Sequence, residues 1–266
     1  MKKIGYLHHN KESDMTNYSL TLMAITGLLG AGLLTACGGG GSDSPEEAKN
    51  SSDCFNAGFY RKDTQIYVSQ SKSLNDGPAS TNLVYHWVTS QNEENGINHI
   101  YVNPTPNGGR TSLHYSIEGG ALLYHGYNAF NIGATSRQSL APPRQSLIAM
   151  APGQTTSQTI VQTDSVSNAD GETKTVTTLA ETRSYEGRET ITTALGTVEA
   201  CRFVSSVTAS QQGKPEASRE TQTTTWVAAA GPYRGLRLKE SASTRQGGKT
   251  DTLVTETSQV SRFDIK

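Results

Sequence analysis

Residues 155–185 read TTSQTIVQTDSVSNADGETKTVTTLAETRSY. Two threonine-rich runs, Thr155–Ser167 and Glu172–Tyr185, alternate β-branched or apolar residues with polar ones. A period of two marks a strand with one face buried. Between the runs stands Asn168-Ala169-Asp170-Gly171, whose residue types supply the backbone angles of a tight turn. Strand, turn and strand make an antiparallel hairpin, and the same pattern repeats on both sides of it.

Downstream, strands are expected at Glu189–Thr193, Thr197–Gln211, Ala217–Val227, Arg234–Ser243 and Asp251–Phe263. Their breaks are Gly196-Thr197, Gln212-Gly213-Lys214-Pro215 and Gly247-Gly248, and Gly231-Pro232 ends the Trp226 strand because proline cannot donate to a ladder. On the long strand, Cys201, Phe203, Ser205 and Val207 share one face, and Cys201 beside Phe203 is expected to point inward. Upstream, strands are expected at Thr64–Lys72, Asn82–Ser90, Asn98–Asn103, Thr111–Glu118 and Ala121–Tyr127. Alternation is clear in Leu83, Tyr85 and Trp87, and again in Leu113, Tyr115 and Ile117. Residues 131–153 hold Pro142, Pro143 and Pro152 and read as an irregular connection. The expected fold is all-β: an antiparallel meander curling into a half-barrel or barrel-like sheet. Residues 154–266 form its threonine- and serine-rich part, and residues 54–130 an aromatic-rich β region that could stand as a smaller amino-terminal subdomain.

The first 36 residues lead into a different kind of signal. A polar start with Lys2, Lys3 and Lys11 precedes the run LTLMAITGLLGAGLL at residues 20–34. That run is about 15 residues, short of the roughly 20 that a spanning helix needs, and fits the apolar core of a secretory signal. Translation from Met15 would leave no basic residue before this core, which favours Met1. The run ends in Leu34-Thr35-Ala36-Cys37, which resembles the lipobox of bacterial lipoproteins. The resemblance implies cleavage between Ala36 and Cys37, a diacylglycerol on the Cys37 sulfur and acylation of the new amine. Several chains hold a protein on a bilayer where one binds only marginally. Gly38, rather than Asp, follows the cysteine; by the same resemblance the anchor is expected in the outer membrane, facing either the periplasm or the cell surface. Residues 37–53 continue as GGGGSDSPEEAKNSS after the cysteine and read as a flexible tether with a reach of roughly 20 Å.

A second resemblance covers residues 147–265. It is carried by Glu189 through Phe203, with Gly196, Thr197, Ala200 and Cys201, and by Thr225-Trp226-Val227-Ala228 followed by Gly231, Gly235, Leu236, Leu238 and Lys239. These segments are similar to a group of secreted bacterial β-proteins. Its architecture is similar to the half-barrels of periplasmic lipoprotein carriers. The group implies a fold and offers no catalytic residues to carry over.

With the lipobox cysteine set aside, Cys54 and Cys201 remain of the three cysteines. In an oxidising compartment they pair across 147 positions or stay as two buried thiols.

Removing the first 36 residues leaves 20 of the 23 basic and 22 of the 24 acidic side chains. A near-neutral surface carries no electrostatic footprint for nucleic acid. No catalytic or cofactor motif stands out. Gly247-Gly248-Lys249-Thr250 lacks the earlier glycine of a phosphate loop, since Ser243 stands there, and reads as a β-turn. His86, His99, His114 and His125 lie on separate expected strands without metal-ligand spacing, so only a site assembled across strands is open to them. There is no G-x-S-x-G elbow. Phe55, Phe59, Tyr60, Tyr67, Tyr85, Trp87, Tyr101, Tyr115, Tyr124, Tyr127 and Phe130 cluster in the first half. Cross-strand packing explains them more simply than a pocket does. The functional expectation is a non-enzymatic envelope lipoprotein without metal or cofactor. It would meet the bilayer through acylated Cys37 and bind a hydrophobic ligand, an envelope component or a protein on its curved apolar face. The alternative is a structural or adhesive surface lipoprotein pairing through strand edges; a hydrolase ranks last.

Overall fold

The computed structural model describes residues 49–91, 97–103, 110–131 and 133–266. The signal peptide, Ala36, Cys37 and most of the expected tether lie outside the described residues.

Twelve antiparallel strands follow in chain order: β1 (Gln65–Leu74), β2 (Ser80–Gln91), β3 (Asn98–Asn103), β4 (Arg110–Glu118), β5 (Ala121–Asn131), β6 (Ala134–Leu147), β7 (Thr155–Asn168), β8 (Gly171–Thr193), β9 (Gly196–Gln211), β10 (Lys214–Ala228), β11 (Arg237–Gln246) and β12 (Lys249–Asp264). Each pairs with the next, and β1 pairs with β12, so the sheet closes into one barrel. Closure removes the two edges that an open half-barrel would leave.

Three expectations need correction. Residues 54–130 do not form a separate subdomain: β1 to β5 belong to the same closed sheet as the rest. Residues 131–153 are not an irregular connection, because β6 occupies most of them. The prolines sit where their missing N–H groups are not needed. Pairing of β6 with β7 ends at Ala141↔Val161, and its pairing with β5 skips from Ser139↔Gly126 to Arg144↔Tyr124. Pro142 and Pro143 fall in that gap. Nor do Glu172–Tyr185 and Glu189–Thr193 form two strands: β8 runs through, with a bulge between Tyr185 and Gly187.

Beyond that bulge the β8–β9 hairpin packs back onto β10, β11 and β12. Ile191, Leu195 and Val198 cover Trp226 and the buried Ala200, Ala228 and Leu238. The Ala194 N–H donates to Glu256 Oε1 at 2.8 Å, and the Trp226 indole N–H donates to Glu189.

The interior follows the period-two rule. Cys201, Phe203, Val207 and Ala209 are buried on β9, with Leu179 and Tyr185 on β8, Ile160 on β7, and Ile66 and Val68 on β1. Threonines share the interior: Thr221 and Thr223 on β10, and Thr255 and Thr257 on β12. A threonine presents a methyl and a hydroxyl from one branched carbon, so a wide barrel can fill its inner face with modest apolar content.

Residues 49–64 lie across the end of the barrel where β1 begins and β12 finishes. Asn50 and Asn56 cap two short 3-10 turns, Ser51–Cys54 and Ala57–Tyr60. Ser51 is stitched to the β6–β7 connection by its N–H to Met150 O (2.9 Å) and its Oγ to Ile148 O (2.8 Å). Thr89 Oγ1 donates to Phe59 O at 2.6 Å, and Asn56 Nδ2 donates to Arg234 O at 3.2 Å. Phe59 packs on Ile66, Val68 and Leu236 and meets Phe263 edge to face. The segment is a plug. The tether expected over 37–53 therefore gives way to ordered structure before Cys54, with Ser51 only 1% exposed.

Candidate functional site beneath the plug

Cys54 and Cys201 form a disulfide, with Cα atoms 6.1 Å apart. Of the two alternatives the sequence leaves open, the structure selects pairing. The bond ties the plug to the inner face of β9, next to Met150, Tyr185, Phe203 and Ala229.

Beneath the plug, β6 and β8 bring three charged side chains inside. Arg144 Nε donates to Glu181 Oε2 at 2.8 Å, and the two side chains are 7% and 6% exposed. Taking two charges out of water costs several kcal/mol per ion, so the pair is tolerable only because each satisfies the other. Two positions along β8, Arg183 donates from Nη1 to Ser146 Oγ at 3.0 Å and lays its guanidinium 4.6 Å from the Phe203 ring centre. Its Nε is buried with no hydrogen-bond acceptor among the described residues. Burial pulls the Arg183 guanidinium below its ordinary value, while Glu181 and Tyr60 push the other way. Glu181 is thus ion-paired with Arg144, and among the described residues Arg183 has no carboxylate within ion-pair distance.

Aromatic rings surround this group. Tyr60 of the plug stacks with Phe55 at 5.8 Å and meets Tyr115 of β4 at 5.5 Å; Tyr115 meets Tyr124 of β5 at 5.0 Å. Burial first, and a neighbouring phenol second, raises Tyr60 and Tyr124 above the usual phenol range, while burial pushes Tyr115 up to about 12. The phenols are neutral at ordinary pH. Among the described residues the aromatic cluster is ring packing across strands, as expected, and a small cavity lies against it. That cavity is about 150 Å³ and is lined by Phe55, Phe59, Tyr60, Leu122, Phe203 and Arg183 among others. A larger groove of about 370 Å³ lies across β7, β8 and β9 and is lined mostly by serine, threonine and glutamine.

The other candidates fall where packing or turn chemistry puts them. Gly247-Gly248 is the turn between β11 and β12. His99 and His114 pack with ring centres 4.3 Å apart and planes tilted by 40°, and Ser116 Oγ lies 2.9 Å from His125 Nε2. Burial, then the positive charge of neighbouring His99, His125 and Arg137, pushes His114 down to about 4. Among the described residues no group of three His, Cys, Asp or Glu side chains could hold a metal ion. Sequence reasoning missed Arg144, Glu181 and Arg183. The available signal was parity: Glu181 and Arg183 lie between Leu179 and Tyr185 on the same inward register of β8.

Fold and site together define a plugged, disulfide-clamped, closed all-β barrel with a charged and aromatic interior. No family model matches the chain, and no curated protein matches it. Among solved structures it is similar to the hypothetical lipoprotein YmcC from Escherichia coli K12, at 17% identity over 73% of this chain and 88% of that one, with a TM-score of 0.35. It is similar also to a candidate lipoprotein from Parabacteroides distasonis, at 7% identity over 76% and 97% of the two chains, with a TM-score of 0.37. A candidate exported protein with a YmcC-like fold from Bacteroides fragilis gives 9% identity over 76% and 97%, with a TM-score of 0.35.

Proposed function

We propose that this chain is a cell-envelope lipoprotein, acylated at Cys37 and anchored by that lipid in the outer membrane. Its barrel is a non-catalytic module that binds an envelope component or a protein partner. The observation that carries the reading is the Cys54–Cys201 disulfide, which suits an oxidising compartment outside the cytoplasm. It stands shortly after a lipobox-like Leu34-Thr35-Ala36-Cys37. An anchor at Cys37 would attach to the barrel at its plugged end, with the disulfide passing any pull directly to β9.

The interior bears on what is bound. Ligand pockets for drug-sized molecules run to roughly 300–1,000 Å³, and the apolar cavity here is about 150 Å³. The apolar face on which a large hydrophobic ligand was expected is turned inward, and the cavity beneath the plug is smaller than such a ligand. The partner is therefore met on the outside of the barrel, a geometry that also suits the structural or adhesive alternative.

The test is metabolic palmitate labelling with fractionation of the parent and a Cys37→Ser variant. Label on the parent alone, together with loss of membrane association in the variant, supports the reading. An unlabelled parent, or a variant that fractionates unchanged, rejects it.

A further inference from the structure

We propose that the cavity beneath the plug is a binding site for a small organic carboxylate, an anion of about the size of benzoate, held by Arg183. The inference does not depend on the tether or on the partner proposed above.

Three observations carry it. The first is charge. Glu181 is committed to Arg144 at 2.8 Å, which leaves Arg183 without a carboxylate of its own among the described residues. Arg183 is half-buried, and a guanidinium drawn even partly out of water costs free energy unless an anion or acceptors compensate it. The second is position. Arg183 lines the cavity, its Nη1 is engaged with Ser146, and its Nε finds no acceptor among the described residues. Ser146 takes one of the five N–H donors of the guanidinium, whose planar fork matches a carboxylate in shape. The third is shape. A cavity of about 150 Å³ has room for a molecule the size of benzene, and this one, lined by Asn56, Ser146 and Arg183 as well as by rings, measures about 150 Å³. Phe55, Tyr60 and Phe203 give it aromatic walls, and Leu122 lines it with them. A flat apolar body with one carboxylate fits such walls. A phosphate would bring up to two charges to a single uncommitted cation.

The test uses the full chain, purified in a non-ionic detergent with its disulfide intact, and titrates sodium benzoate against neutral benzamide by calorimetry. A charge-assisted hydrogen bond predicts saturable benzoate binding at least about tenfold tighter than benzamide. Arg183→Met should abolish that preference. Leu122→Trp, which fills the cavity and leaves Arg183 in place, should weaken benzoate at least about tenfold; near-ultraviolet circular dichroism verifies the fold of each variant. Should Arg183→Met fail to fold, the benzamide comparison and Leu122→Trp decide. Benzoate binding no tighter than benzamide, or benzoate affinity unchanged in folded Leu122→Trp, overturns the proposal.

Discussion

Opening the Cys54–Cys201 bond is the perturbation whose size follows most directly from the fold. The bond closes a loop of 147 positions. On the loop-entropy model, releasing a closure that long lowers stability by about 5 kcal/mol. Each kcal/mol shifts the midpoint of a domain this size by roughly 2–4 °C, so the double variant Cys54→Ala/Cys201→Ala should melt about 10–20 °C lower. Native contacts do not replace the loss, because they act in the folded state while the crosslink restricts the unfolded one. They do decide what the reduced protein looks like. Ser51 keeps its bonds to Ile148 and Met150, and Arg188 keeps Asp53 at 2.6 Å. The plug should stay docked in the reduced protein but open more often. Thermal unfolding of the parent and the double variant measures the first effect, and amide hydrogen exchange over residues 49–60 the second. A midpoint drop under about 3 °C would refute the entropic argument. Unchanged exchange over the plug would show that the bond does not clamp it.

Three further outcomes follow from the interior. Glu181→Gln leaves Arg144 buried without its carboxylate and should cost about 3–5 kcal/mol in urea unfolding, whereas Arg144→Met/Glu181→Leu together should recover most of it; a loss under about 1 kcal/mol for the single change would mean the pair is solvated. His114 titrates near 4 in the fold against an ordinary 6.5, so the folded protein binds this proton more weakly than the unfolded chain does. Stability should therefore fall as pH drops from about 6.5 to about 4, and His114→Asn should flatten that slope; equal slopes would contradict the burial of the imidazole. Gly126 and Gly133 both have positive φ, at 129° and 80°, but only at Gly126 would a Cβ meet a carbonyl oxygen, Gln138 O, at 2.1 Å. Gly126→Ala should lower the melting midpoint several-fold more than Gly133→Ala, and similar losses would show that backbone angle alone matters.

Much of the sheet was legible because local chemistry wrote it. Asn98–Asn103 has the same bounds in sequence and structure, and the turn at Asn168-Ala169-Asp170-Gly171 joins β7 to β8 as read. The inward placement of Cys201 and Phe203 followed from alternation alone. What was not legible is non-local. Nothing in Gln65–Leu74 or Lys249–Asp264 announces that these strands pair across almost the whole described chain. β6 was hidden because proline is weighed as a strand breaker. It breaks a strand only where its N–H is required, and register, which decides that, is a tertiary property. The interior site was hidden for a related reason. A lone Glu or Arg in a threonine-rich strand reads as solvated, and only the partner brought by β6 makes its inward register tolerable.

The same β6 geometry bears on how a partner can approach. Strand pairing with another chain needs a row of unpaired backbone groups, and the β1–β12 ladder removes the edges of an open sheet. Between β6 and β7 the ladder stops at Ala141↔Val161, while β7 remains paired to β8 from Thr155 onward. A seam is left there, and a side chain closes it. The Gln145 N–H donates to Gln158 Oε1 at 2.9 Å, and Gln158 Nε2 donates to Gln145 O at 3.0 Å. One primary amide thus takes the place of a strand neighbour, satisfying both backbone groups at once. Contact through strand edges, the mode expected for an adhesive protein, accordingly has to displace Gln158 at this seam. Contact through side chains on the outer surface of the barrel needs no such displacement, and that difference in cost favours the outer surface as the face for the partner proposed above.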